Sequence, residues 1–368
     1  MRLPSQPPSI SPRASIALDG LRLLAAAVVV VFHVTSQWDT NHPALHEALG
    51  KASHTAVVVF FVLSGYVIAF TTTASPGPRH YAVARLSRLY SMLAPALVLT
   101  ALVETVVANG DAQLAARYVH QHSVLRYLLT AFFCNESGLL SAAPPLNSPL
   151  WSLSYEFWYY TLFGLWFYRG GIPRVGLWLA LAALAAGPKI LLMMPIWLCG
   201  VWAWQHRRTV VKAGRGRAWR AAGAWLLLAV VAAASLPAFP AAVGERPLYL
   251  ASQFGTDWVV GALVGLALWC LPASSPEPAD AVPRAPWVRT VAGLSFPLYV
   301  FHFPLIVLWR VAIGWHANSW VQMGQVLAGV VIVAGLLGIL LEHLRPGWTQ
   351  LVGRLVRLIP GPRVAKSK

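Results

Sequence analysis

Within residues 18 to 34, LDGLRLLAAAVVVVFHV, one arginine and one histidine interrupt a run of Leu, Ala and Val. Arg22 and His33 are 11 residues apart, which on a helix is roughly 16 Å of rise and about 1100° of rotation, so the two share one face. A guanidinium holds anions and an imidazole moves protons near neutral pH. Glu156, in NSPLWSLSYEFWYY, is expected at the depth of His33, where its carboxylate would orient the imidazole. In GLSFPLYVFHFP, Ser295, Tyr299 and His302 follow at spacings of four and three, one polar stripe along a helix. In RLSRLY, Arg85 and Arg88 stand one turn apart at a helix end, suited to phosphates.

Each group also has a plain structural explanation. Arg22 can snorkel, Arg85 and Arg88 can be an ordinary basic helix end, and Glu156, Tyr299 and His302 can be interhelical hydrogen bonds. An arginine at bilayer depth is costly unless it meets a partner, water or an anion, and this weights Arg22 and His33 toward function.

The elements that position these residues are membrane helices. The chain of 368 residues is 57% hydrophobic and 11% charged, with 17 Trp, and its mean hydropathy is +0.61, far from a soluble domain. A window of about 20 residues gives ten apolar segments: 16–36, 53–73, 84–107, 151–169, 174–188, 189–205, 219–238, 248–271, 290–314 and 320–343. The fold expected is therefore all-α, a polytopic membrane bundle of about ten transmembrane helices. The fifth and sixth are short and meet in a tight turn at Gly187, Pro188 and Lys189, a hairpin that is tilted or only partly spanning.

The net charge of +16 suggests nucleic acid until the basic residues are located. They cluster in alternate loops: Arg2 and Arg13; Arg79, Arg85 and Arg88; Arg169 and Arg174; Arg207, Arg208, Lys212, Arg215, Arg217 and Arg220; Arg284 and Arg289; and the tail from Arg345 to Lys368. The intervening loops are poorer, with only Lys51 in 37–52 and only Arg246 in 239–247. By the positive-inside rule both termini are cytoplasmic, and nucleic-acid binding loses its support.

The first apolar run is too long for a signal-peptide core, so no cleavable signal is expected. Cys134, Cys199 and Cys270 lack metal-ligand spacing and read as packing residues, with no metal site. Residues 1–14 and 272–286, rich in Pro, Ser and Ala, read as flexible cytoplasmic stretches. The outward loop 108–150 carries an amphipathic segment suited to the interface. The expected division is a cytoplasmic segment 1–15, a membrane domain 16–346 and a basic cytoplasmic tail 347–368.

These residues resemble the acyltransferase 3 family of integral membrane acyltransferases. LDGLRLLAAAVVVVFH is similar to its arginine, ten residues, histidine signature, FFVLSGYVI to its second-helix motif and RLSRLY to its basic motif. PLWSLSYEFWYY is similar to its Trp-Ser-Leu-x-x-Glu segment and LSFPLYVFHFP to its Ser-x-x-x-Tyr-x-x-His-x-Pro segment. The motifs keep the family's order over 16–346, with one departure: Ser91 stands where a proline usually follows the aromatic residue, and Pro95 comes later.

The resemblance implies a multi-pass protein of the cell inner (plasma) membrane that transfers an acyl group, usually acetyl from acetyl-CoA, to a hydroxyl acceptor. Acceptors in the family include surface polysaccharides, peptidoglycan, signalling oligosaccharides and macrolide-type metabolites. Its partners would be membrane lipids, an acyl-CoA donor and a glycan or related acceptor. Arg22, Arg85 and Arg88 would hold the donor, and an extended pantetheine arm is of the same order as the roughly 16 Å from Arg22 to His33. His33 would be the general base and Glu156 its partner. Ser295, Tyr299, His302, Trp151 and Ser152 would bind acceptor or oxyanion. A covalent acyl-histidine or acyl-serine intermediate remains open. The competing class is a transporter or flippase using Arg, His and Glu as a proton relay, against which the halves show no repeat. A non-catalytic partner in glycan export is a third reading.

Overall fold

The computed structural model describes residues 9–120, 122–207, 214–240, 248, 251–274 and 293–358. Outside them lie residues 1–8, the basic residues Arg208, Lys212, Arg246, Arg284 and Arg289, most of the Pro/Ser/Ala stretch 272–286, and the tail from 359.

The described chain is almost entirely helical, and each of the ten apolar segments coincides with a helix. These are α1 (Pro12–Trp38), α2 (Pro43–Thr72), α3 (Pro78–Gly110), α6 (Trp151–Phe167), α7 (Val175–Ala186), α8 (Pro188–Gln205), α9 (Arg215–Ser235), α10 (Phe254–Trp269), α11 (Ser295–Ile313) and α12 (Trp320–Leu358). By length and apolarity six of them can cross a membrane: α1, α2, α3, α9, α11 and α12. The pair α7 and α8, bent by 111° at Gly187, makes a seventh if counted as one span. Large apolar side chains point outward from these helices, among them Leu184 at 80% exposure and Leu336 at 63%, as lipid-facing surfaces require.

Helix starts follow sequence rules. Pro12 occupies the first turn of α1 and the Ser11 hydroxyl accepts from the Ala14 amide at 3.2 Å, so the helix begins inside the stretch expected to be flexible. Just before it, Ser9–Ile10 pairs antiparallel with Ala273–Ser274, a two-residue ladder beside the bundle. The loop after α3 holds the short helices α4 (Ala112–Tyr118) and α5 (Ser123–Ala131). α5 leaves Val124, Leu125 and Leu128 exposed, the apolar face expected of an interfacial helix. α12 runs on to Leu358, through residues expected to belong to the tail.

The core centres on α2, which packs against α1, α8 and α10. Its crossing with α8 is as close as backbones allow: a Cβ on Gly65 would lie 2.0 Å from the Trp197 carbonyl oxygen, and one on Gly200 1.9 Å from that of Val62. Small residues at membrane-helix crossings permit such approach. Here it brings Ser64 beside Trp197.

Candidate active site

Two cavities enter the bundle and meet. The first, about 690 Å3, is lined by Arg22 of α1, Ser64 of α2, Arg85 and Arg88 of α3, Glu156 and Tyr160 of α6, and Ser295 and Tyr299 of α11. It continues through Arg22, Arg88, Ser295 and Phe296 into a wider mouth that reaches Asp19, Glu342 and Arg345. The second, about 1390 Å3, is lined by His33, His54, Arg126, Glu136, Ser141 and Trp151, among others. Val57 and Tyr299 line both. The two spaces are termed the arginine cavity and the histidine cavity.

The arginine cavity gathers three guanidiniums around one carboxylate, that of Glu156. Arg22 lies 3.7 Å from Asp19, one turn away, and Arg85 donates to the Thr71 hydroxyl at 3.2 Å while its Nε is buried without a partner. Arg88 sits over the Phe296 ring at 5.8 Å and makes no ion pair among the described residues. Three guanidiniums lining one cavity are the side chains best suited to an anion with several oxygens. Arg85 and Arg88 lie two and three turns inside α3, not at its end as expected, because the helix starts at Pro78 and carries PRHYAVA before them.

Glu156 lies in this cavity, which corrects its expected placement beside His33. Its Oε1 accepts from the Ser64 hydroxyl at 2.8 Å and, in a shorter bond, from Tyr160; Trp197 donates to Ser64 at 3.2 Å. The cause is the approach to α6. Before the helix begins, the chain descends through the 3-10 turn Pro145–Leu150, with Leu146, Asn147, Pro149 and Leu150 all buried. Asn147 anchors the descent by donating to Thr100 Oγ1 at 3.0 Å and to the Val300 carbonyl at 3.1 Å. α6 therefore starts inside the bundle, and its second turn is already at the level of the arginines.

His33 finds another partner, His302 of α11. Carbonyl oxygens only accept, so the bond between His302 Nδ1 and Tyr299 O at 2.7 Å assigns that proton to Nδ1 and leaves Nε2 as an acceptor. His302 Nε2 faces His33 Nδ1 at 3.2 Å, and the same His33 nitrogen donates to Val29 O at 2.8 Å. His33 Nδ1 thus carries the proton and His33 Nε2 keeps a lone pair, with no partner among the described residues. His302, fully buried, does for His33 what the sequence assigned to Glu156.

Tyr299 stands between the cavities. Its hydroxyl donates to Pro149 O at 3.0 Å and accepts from Ser152 at 2.8 Å. Of the remaining expected residues, Ser295 lines the arginine cavity and Trp151 lines the histidine cavity. Trp151 is braced edge-on by Phe61 and Tyr155.

Sequence reasoning missed several members. Ser64 lies within the second-helix motif, and Tyr160 is four residues beyond Glu156, on the same helix face. Glu136 and Lys189 form an ion pair of 2.6 Å beside the histidine cavity, completed by Ser141 at 2.8 Å and the Leu140 carbonyl. Asp257 is the sole acidic residue in the apolar segment 248–271, a signal that was available. Among the described residues no three His, Cys, Asp or Glu are grouped to hold a metal ion.

A bundle of apolar helices, with cations converging on one inner cavity and an oriented imidazole on the other, belongs to the class of multi-pass membrane proteins with a polar site enclosed between helices. The model of the acyltransferase 3 family, described as an acyltransferase domain, matches residues 15–341, and the chain belongs to that family. It is 29% identical over 180 residues to "Acyltransferase MdmB" of Streptomyces mycarofaciens, covering 46% of this chain and 44% of that protein. It is 28% identical over 158 residues to an "O-acetyl transferase" of Shigella phage Sf6, covering 41% of this chain and 45% of that one. The chain thus spans less than half the length of these relatives. No solved structure matches it.

Proposed function

We propose that this membrane O-acyltransferase moves an acyl group, acetyl in the simplest case, from acyl-CoA in the arginine cavity to a hydroxyl of a glycan or related acceptor in the histidine cavity. The observation that carries the reading is the meeting of the two cavities at Tyr299, with three guanidiniums on one side and the free lone pair of His33 on the other. The basic loops make the arginine cavity the cytoplasmic one, where acyl-CoA is available. Residues 16–346 form the transferring unit.

Arg22, Arg85 and Arg88 hold the donor through charge-assisted bonds to its phosphates and pantetheine carbonyls. His33 Nε2 accepts the acceptor's hydroxyl proton as the oxygen attacks the thioester carbonyl. The C–S bond then breaks, the ester forms, and CoA leaves as a thiolate that takes the proton back from His33. His302 Nε2, accepting from His33 Nδ1, stabilises the imidazolium while it lasts. Glu156, with Ser64 and Tyr160, shapes the donor's path and does not act on His33. For the thioester to reach His33, Tyr299 turns out of its contact with Pro149. The transporter and flippase reading gains nothing from a chain that belongs to an acyltransferase family.

Membranes containing the protein and its native acceptor, given radiolabelled acetyl-CoA, test the reading. Wild type is expected to label the acceptor and release CoA, and Arg22→Ala and His33→Ala to do neither while remaining folded. A His33→Ala enzyme that transfers label contradicts the mechanism.

A further inference from the structure

The histidine cavity holds a second imidazole that this mechanism does not use. His54 of α2 lines it, and its Nε2 lies 2.9 and 3.0 Å from the two carboxylate oxygens of Asp257 on α10. The His54 side chain is 22% exposed, whereas the Asp257 side chain is 3% exposed. Gln253 donates to Asp257 Oδ1 at 3.3 Å, and Asp257 sits in the first turn of α10, where the helix dipole favours an anion. A carboxylate only accepts, so Nε2 carries a proton, and in the neutral imidazole Nδ1 keeps a lone pair. That Nδ1 has no hydrogen-bond partner among the described residues.

His33 and His54 thus present two acceptor nitrogens from neighbouring helices to one cavity. In the antiparallel pair α1 and α2, Phe32 packs on Gly50, so His54 lies about one turn deeper than His33. The same cavity is also lined by Ser148, Ser141 and Trp151. A single hydroxyl needs one base; two imidazoles lining the same cavity fit a molecule with two hydroxyls.

We propose that the pair His54–Asp257 is an acceptor-binding site, and that the acceptor is a polyol which gives one hydroxyl to His33 for acylation and a neighbouring hydroxyl to His54 Nδ1. Asp257 is the positioning residue: it fixes the tautomer of His54 and touches no substrate. The inference rests on the histidine cavity being the acceptor side.

The test uses purified enzyme, saturating radiolabelled acetyl-CoA and a graded solvent extract of membranes from cells lacking the gene, as the source of acceptor. For His54→Gln, which keeps a bond to Asp257 but presents an amide to the cavity, the extract concentration at half-maximal rate is expected to rise at least tenfold. The maximal rate is expected to stay within about threefold, as for a lost substrate hydrogen bond. Asp257→Asn is expected to show the same split, and the double variant to be no worse than either single one. Half-saturation within twofold of wild type for His54→Gln overturns the proposal. So does equal loss of acetyl-CoA binding and transfer in both variants, since the pair would then be a strut between α2 and α10. If wild type transfers no label, the donor reading falls and this inference falls with it, an outcome distinct from the other two.

Discussion

His302 Nε2 lies 3.2 Å from His33 Nδ1, and the backbone carbonyls around both rings place the protons so that His33 Nε2 is the nitrogen left with a lone pair, the one the proposed mechanism uses as base. Removing His302 therefore disorients the imidazole without removing it. His302→Ala is expected to lower kcat by about 10²-fold or more, in the range of lost general-base assistance, with little change in KM for acetyl-CoA. An unchanged kcat shows that His33 needs no such partner.

Glu156 distinguishes the geometry from the sequence reading. It bonds Ser64 and Tyr160 in the arginine cavity, so Glu156→Gln is expected to change KM for acetyl-CoA and leave unmoved the acid limb of the pH–kcat/KM profile, the limb that reports the base. A shift of that limb indicates contact with His33.

Arg88 makes no ion pair among the described residues and lines the arginine cavity, the proposed donor site. A charge-assisted bond contributes about 1.5–3 kcal/mol, so Arg88→Ala is expected to raise KM for acetyl-CoA by roughly 10- to 100-fold. Kinetics at varied acetyl-CoA measure it; an unchanged KM removes Arg88 from the donor site.

Stability provides a check independent of chemistry. Lys189 is fully buried against Glu136 at 2.6 Å, and breaking a buried pair costs about 3–5 kcal/mol because the remaining charge stays uncompensated. Lys189→Met is expected to lower the Tm sharply, and Lys189→Met with Glu136→Gln to recover most of the loss. A double variant as unstable as the single one refutes the pairing.

What the sequence made legible was local. Arg22 and His33 share a helix face because helical pitch alone decides it; Arg22 lines the arginine cavity and His33 the histidine cavity. The surroundings of Glu156 were hidden because they depend on how far the chain descends before α6, which Asn147 anchors by bonding to α3 and α11, and the partner of His33 was hidden because His302 is 269 residues away. Separation hid the others: His54 and Asp257 are 203 residues apart, and only the crossing of α2 with its neighbours unites them. The break at Gly187 was legible, since its φ of +81° needs glycine and Pro188 opens the next helix.

In the proposed mechanism donor and acceptor enter from opposite faces and meet at Tyr299. Sealed vesicles of opposite orientation, both carrying acceptor, test it most directly when radiolabelled acetyl-CoA is added only outside. Labelled acceptor is expected in vesicles that expose the arginine cavity and none in those that expose the histidine cavity. Equal labelling in sealed vesicles of both orientations contradicts it.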